Sequence, residues 1–107
     1  MGMRSAKMLQ MPVSDTTLRK RIAQIAVRSE NVLLTSHARD RMRKRGVSLP
    51  QILATLRKGQ VVEPAHQDIR GNWKCTLERI CAGERIKVAA AVQDRDGERV
   101  IVITVMN

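Results

Sequence analysis

Trp73-Lys74-Cys75-Thr76-Leu77-Glu78 decides the fold class. Its apolar residues Trp73, Cys75 and Leu77 alternate with polar Lys74, Thr76 and Glu78. That period of two belongs to a strand with one buried and one open face. Toward the C-terminus, Ala82-Gly83-Glu84 turns the chain into a second alternating run, Arg85 to Val92, where Ile86, Val88, Ala90 and Val92 share a face. Asp94-Arg95-Asp96-Gly97 is a hairpin signal that delivers Val100 to Met106, an almost continuous apolar run suited to a central strand covered on both faces. Toward the N-terminus, Val61-Val62-Glu63 opens a strand that Pro64 interrupts, and Ile69-Arg70-Gly71-Asn72 makes a turn.

Upstream of Gly59 the period changes to that of helices. Ser14 or Asp15 can cap a helix in which Leu18, Ile22, Ile25 and Ala26 recur at i, i+4, i+7 and i+8. Arg19, Lys20, Arg21 and Arg28 occupy its other face. Val32-Leu33-Leu34 leads to Thr35 or Ser36, either a fair N-cap for a second helix that Gly46 stops. Ser48 caps a third helix, with Pro50 tolerated in its first turn, Leu49, Ile52, Leu53 and Leu56 as its buried stripe, and Gly59 as its end. The pattern predicts an α+β fold with N-terminal helices packed on one face of a three- to four-stranded antiparallel sheet. Residues 1–13, rich in Met, read as a flexible arm and 14–107 as one domain, with a first helix at 14–31 ahead of a helix-helix-sheet core at 32–107.

The 107 residues suffice for a single modest core. No apolar run is long enough for a membrane span, and the N-terminus lacks the apolar segment of a secretion signal, so a cytoplasmic location is expected. Cys75 and Cys81 then read as reduced thiols. Zinc would need at least two further ligands, and His66 alone lies nearby, so neither metal nor other cofactor is expected. Paired carboxylates, a nucleophile motif and a glycine-rich phosphate loop are all missing from the sequence.

The net charge of +10 is segregated. Residues 1–58 carry 13 Lys/Arg against Asp15, Glu30 and Asp40, whereas residues 59–107 carry seven charges of each sign. Such asymmetry points to a polyanionic partner, nucleic acid or an acidic protein, docking on one side. With no Phe or Tyr and only Trp73, a platform for stacking successive bases is not available. Contact with nucleic acid would be mostly ionic. Trp73 itself reads first as core filler and second as a stacking ring.

The cations are densest in Ser36-His37-Ala38-Arg39-Asp40-Arg41-Met42-Arg43-Lys44-Arg45-Gly46-Val47. His37, Arg41 and Arg45 follow at i, i+4 and i+8, within about 80° of arc on a helix. Ala38 and Met42 form the neighbouring stripe that rests on the core. One titratable group beside two fixed cations suits a phosphodiester: histidine can take or give a proton near neutrality, and arginine grips phosphate oxygens in pairs. The plainer alternatives are that His37 caps or packs the helix end and that Arg41 pairs with Asp68 or another carboxylate. Arg39, Arg43 and Lys44 point elsewhere and read as a nucleic-acid-steering or solvated face. On the sheet, Lys74 and Lys87 are candidates for stabilising a transition state, with Arg79 and Arg85 as nucleic-acid contacts; His66 reads as a surface loop residue. A DNA-reading helix-turn-helix is disfavoured because Pro50 to Lys58 offers only Gln51, Thr55, Arg57 and Lys58 outward.

The ordered set Ser36-His37-Ala38, Arg41-Met42, Arg45-Gly46-Val47-Ser48, Leu56-Arg57-x-Gly59, Gly71-Asn72-Trp73 and Val102-Ile103-Thr104-Val105 resembles the domain-of-unknown-function 4258 family over about residues 32–106. That family is similar to RelE-like small toxins. The resemblance implies a helical layer on a four-stranded antiparallel sheet, metal-independent RNA cleavage by 2′-hydroxyl attack, and inhibition by an antitoxin protein. It also offers Thr104 as a phosphate contact. The helix at 14–31 is an addition to the shared pattern, suited to covering a sheet edge, to homodimerisation or to binding a partner. The alternative to an endoribonuclease is a non-catalytic basic module that binds nucleic acid or an acidic protein.

Overall fold

A computed structural model describes residues 13–94 and 97–106. The expected flexible arm lies, apart from Val13, outside the described residues; Val13 packs on the core. Three helices follow in order: α1 (Asp15–Ile25), α2 (Ser36–Arg45) and α3 (Leu49–Lys58). The strands are β1 (Val32–Leu34), β2 (Gln60–Gln67), β3 (Trp73–Cys81), β4 (Glu84–Asp94) and β5 (Glu98–Met106). They form one sheet in the order β1-β5-β4-β3-β2. None of the described helices is long and apolar enough to cross a membrane.

The α+β architecture matches the reading of the sequence, but the sheet has five strands, not three or four, and is mixed. Val32–Leu34, expected only as a lead-in to a helix cap, pairs in parallel with β5, Val32 opposite Val100 and Leu34 opposite Val102. Three residues are too few to show a period, and their partner lies far along the chain. The helix predicted over 14–31 is shorter as well: α1 ends at Ile25, and a 3-10 turn at Ser29–Asn31 leads into β1.

Each helix starts where a short polar side chain satisfies free amides. Ser14 Oγ accepts from the Thr17 amide, Thr35 Oγ1 from Ala38, and Ser48 Oγ from Gln51, whose side chain returns the bond to complete a capping box. Gly46 closes α2 at φ 66°, a left-handed conformation that costs a residue bearing a Cβ. Gly59 is required for a different reason: a Cβ there would lie 2.4 Å from the Thr55 carbonyl oxygen. That absent side chain lets α3 run directly into β2. The Arg57 guanidinium then donates to the carbonyls of Ala26 (2.8 Å) and Val27 (3.2 Å), capping the end of α1.

The core lies between the helices and one face of the sheet. Leu18 and Ile22 of α1, Ala38 of α2, and Ile52 and Leu56 of α3 are buried against Cys75, Leu77, Ile86, Val88, Ala90, Val100, Val102 and Val105. In β5 the opposite face is only half covered, with Ile101, Ile103, Thr104 and Met106 of intermediate exposure, so this strand is not enclosed on both sides as expected. The polar partners of the alternating pattern, Lys74, Thr76, Glu78, Lys87 and Thr104, lie on that second, open face.

Candidate active site on the open sheet face

The geometry of β1 determines where α2 begins. Because β1 stops at Leu34, the second half of β5 has no strand on the side away from β4, and the first turn of α2 takes that place. The Thr35 amide donates to Val102 O (3.2 Å) and Thr35 Oγ1 to Ile103 O (3.0 Å), fastening the helix start to the unpaired edge. His37 is thereby carried to the sheet edge, with Nε2 3.0 Å from Thr104 Oγ1. Thr104 belongs to the open face because a register shift at Ala89/Ala90 sets it opposite Ala89 while Val105 stays opposite buried Val88.

Thr104 lines a cleft of about 290 Å³ together with Glu63, His66, Lys74, Thr76 and Ile103. The floor is β3 and β4; one wall is β5 with the start of α2 behind it, and the other is β2. Thr76 Oγ1 donates to Glu63 Oε1 at 2.5 Å, and His66 Nδ1 lies 3.0 Å from Pro64 O. The cleft thus gathers two histidines, one directly and one through Thr104, with a lysine and two hydroxyls. Among the described residues no three His, Cys, Asp or Glu side chains converge as a metal site would need.

The expected site residues divide into groups. His37 and Thr104 touch, and Thr104 and Lys74 share the cleft. Arg41 follows His37 one turn later, half buried, its Nε covered and without a partner among the described residues. The pairing with Asp68 considered from the sequence does not form: the Asp68 carboxylate accepts instead from the Arg70 and Asn72 amides in the turn before Trp73. Arg45 is exposed at the far end of α2. A rise of about 1.5 Å per residue puts its backbone roughly 12 Å from that of His37.

Lys87 is on the open face one pleat beyond Ala89, but outside the cleft lining. It pairs across the strands with Glu78 (3.9 Å), which also attracts Arg85 (3.8 Å). Arg79 is opposite Ile86, whose side chain is buried under the helices, so Arg79 and Arg85 emerge on different faces and do not form one surface. On α2, Arg43 and Lys44 are partly neutralised by Asp40 (3.5 and 3.1 Å), and Lys44, then Arg43, hold that carboxyl below the usual range. Arg39 and Arg43 instead rim an apolar groove floored by Leu34, Met42, Val47 and Leu49. Trp73 packs half buried on the core, as its first reading had it. Beneath the cleft, Cys75 has its thiol in the core, where desolvation and then the Asp15 charge push it up to about 11.

The residues that sequence reasoning did not place here are Glu63, Thr76 and His66. His66 reads as surface because Pro64 breaks the strand pattern before it. Yet a proline inside a strand is also the signal of a bulged edge, where side chains are re-aimed.

The chain belongs to the family described as a domain of unknown function (DUF4258), whose profile matches residues 34–107. The match takes in α2, Lys74, His66 and Thr104 and leaves α1 outside it. No curated protein and no solved structure matches the chain significantly.

Proposed function

We propose that this family member is an RNA-cleaving protein of the RelE-like toxin kind and that the open-face cleft is its active site. One observation carries the reading: His37, held by Thr104, stands at the edge of a cleft that also holds Lys74. Metal-independent cleavage of RNA requires a group to take the 2′-hydroxyl proton, a group to protonate the departing 5′-oxygen, and cations for the charge that builds on phosphorus. His37 supplies proton transfer, with Thr104 fixing its Nε2 and hence its ring orientation. Lys74 supplies charge inside the cleft. Arg41, held by packing and unpaired among the described residues, adds a cation one helical turn from His37. Arg45 is too distant along α2 for the same phosphate and suits the next one along the strand. Because the nucleophile is the 2′-hydroxyl, DNA is bound but not cut.

The experiment is cleavage of single-stranded RNA in EDTA by native protein, His37→Ala and Arg41→Ala. Native protein is expected to leave 2′,3′-cyclic phosphate ends, and His37→Ala to lose about 10²- to 10⁴-fold in rate. A native protein that binds RNA but never cuts it overturns the reading. The second reading, a binding module, would then stand on the cations of α2 that have no carboxylate partner among the described residues. Its mark is an affinity that falls linearly in log–log plots against salt.

A further inference from the structure

We propose that His66 is the second proton-transfer group of this cleft, the base that complements His37 as acid, and that the bulges of β2 set it level with Lys74. The inference rests on the RNA-cleaving reading and deepens it. It begins from the register of β2 against β3. Val61 is opposite Leu77, on the helix-covered face. An unbroken antiparallel ladder from that pair would set Glu63 opposite Cys75, inside the core. Instead, a register shift between Val61 and Glu63 sets Glu63 opposite Thr76. A second shift, between Glu63 and His66, sets His66 opposite Lys74; without it His66 would oppose Trp73. A slip of one residue moves a side chain to the other face. The first shift therefore delivers Glu63 to the open face. The two together keep His66 on that face but move it from opposite Asn72 to opposite Lys74, into the cleft. Two irregularities in an eight-residue strand are costly in ladder bonds, and both serve the same cleft.

The backbone of the bulged segment is tied down from the other side. The Ala65 amide donates to Asp15 Oδ1 at 2.7 Å, so the first residue of α1 holds the strand beside His66. The imidazole itself is oriented through Nδ1, 3.0 Å from the Pro64 carbonyl oxygen. A carbonyl only accepts, so Nδ1 carries the hydrogen, and in the neutral ring the lone pair is on Nε2. That is the form a base requires. Glu63 from β2, Lys74 from β3 and, behind Thr104, His37 from α2 are the titratable groups around it.

The step balances within the site. His66 Nε2 takes the 2′-hydroxyl proton as that oxygen bonds to phosphorus. The bond from phosphorus to the 5′-oxygen breaks, and protonated His37 gives its proton to the leaving oxygen. The products are a 2′,3′-cyclic phosphate and a 5′-hydroxyl.

Two measurements test this. In activity, His66→Ala and the shape-conserving His66→Asn are each expected to lose about 10²- to 10⁴-fold. The rising acid limb of the pH–rate profile should vanish with them, while His37→Ala removes the falling alkaline limb. In the native protein without turnover, the imidazole nitrogens are followed by NMR as a non-cleavable 2′-deoxy tetranucleotide is added. His66 is expected in the Nδ1–H form, with the signals of both histidines shifting together. If only His37 shifts, or His66→Ala retains native rate, the assignment of His66 is overturned and the RNA-cleaving reading stands. If neither histidine shifts, both fall.

Discussion

The two faces of the sheet are built from the same strands, residue by residue, and do opposite work. Leu77 and Thr76 are neighbours in β3, yet Leu77 is sealed under the helices while Thr76 donates to Glu63 across the cleft. In β5 the same holds for buried Val105 and for Thr104, which meets His37. The covered face is almost entirely aliphatic, and each of its residues contributes by leaving water. The open face is assembled from groups whose value is positional. Apolar burial and the polar cleft are thus interleaved at a spacing of one residue, and single substitutions can separate them.

The largest effect on stability is expected from Leu77→Ala, which should cost about 2–5 kcal/mol in chemical denaturation. Its neighbour sharpens the contrast: Thr76→Val removes one hydrogen bond and should cost about 0.5–1.5 kcal/mol. Equal losses at the two positions would break the distinction between the faces. Thr104→Val should leave the unfolding midpoint close to native while slowing RNA cleavage on the order of tenfold, through a loosened His37.

Smaller effects follow from ionisation. With its thiol pushed from 9.0 to about 11, Cys75 should resist alkylation at pH 8 in the native fold while half-exposed Cys81 reacts. The raised value means that the stability contributed by the protonated thiol is complete below pH 9 and is lost as pH rises toward about 11. Cys75→Ala should therefore lose less stability over that alkaline interval, read from urea midpoints. The smallest change is expected from Asp40→Asn on exposed α2. Its lowered carboxyl favours the fold above the ordinary value of 3.8, and that contribution disappears as pH falls through the lowered value. A slight deficit in thermal midpoint at neutral pH should vanish in acid.

What was legible in the sequence follows the same division of the sheet. Period-two alternation in β3 and β4 and helical spacing in α1 reveal the covered face, because burial repeats with the local geometry of the element. In α3 the spacing holds at Ile52 and Leu56, but Leu49 is exposed and Thr55, expected outward, is buried with its hydroxyl donating to Gln51 O (2.8 Å). The caps at Ser14 and Ser48 are local as well. Val32–Leu34 escaped as a strand because its pairing with Val100–Val102 is non-local and parallel. The site was half legible. His37 and Arg41 stand out on a regular helix, where spacing specifies direction. Glu63 does not, because a register shift turns it against the alternation, and the place of His66 opposite Lys74 depends on two shifts that no local pattern shows. The alternation of β3 and β4 also separates Arg79, which continues the face of Leu77, from Arg85, which takes the face opposite that of Ile86.

The contact between His37 and Thr104 joins residues 67 positions apart. During synthesis at about 5–20 residues per second, α1, α2 and α3 emerge seconds before β5. Until β5 is made, Thr35 has no edge to hold, β1 has no partner, and His37 has nothing to fix its ring. The cleft is therefore completed only once β5 has been made.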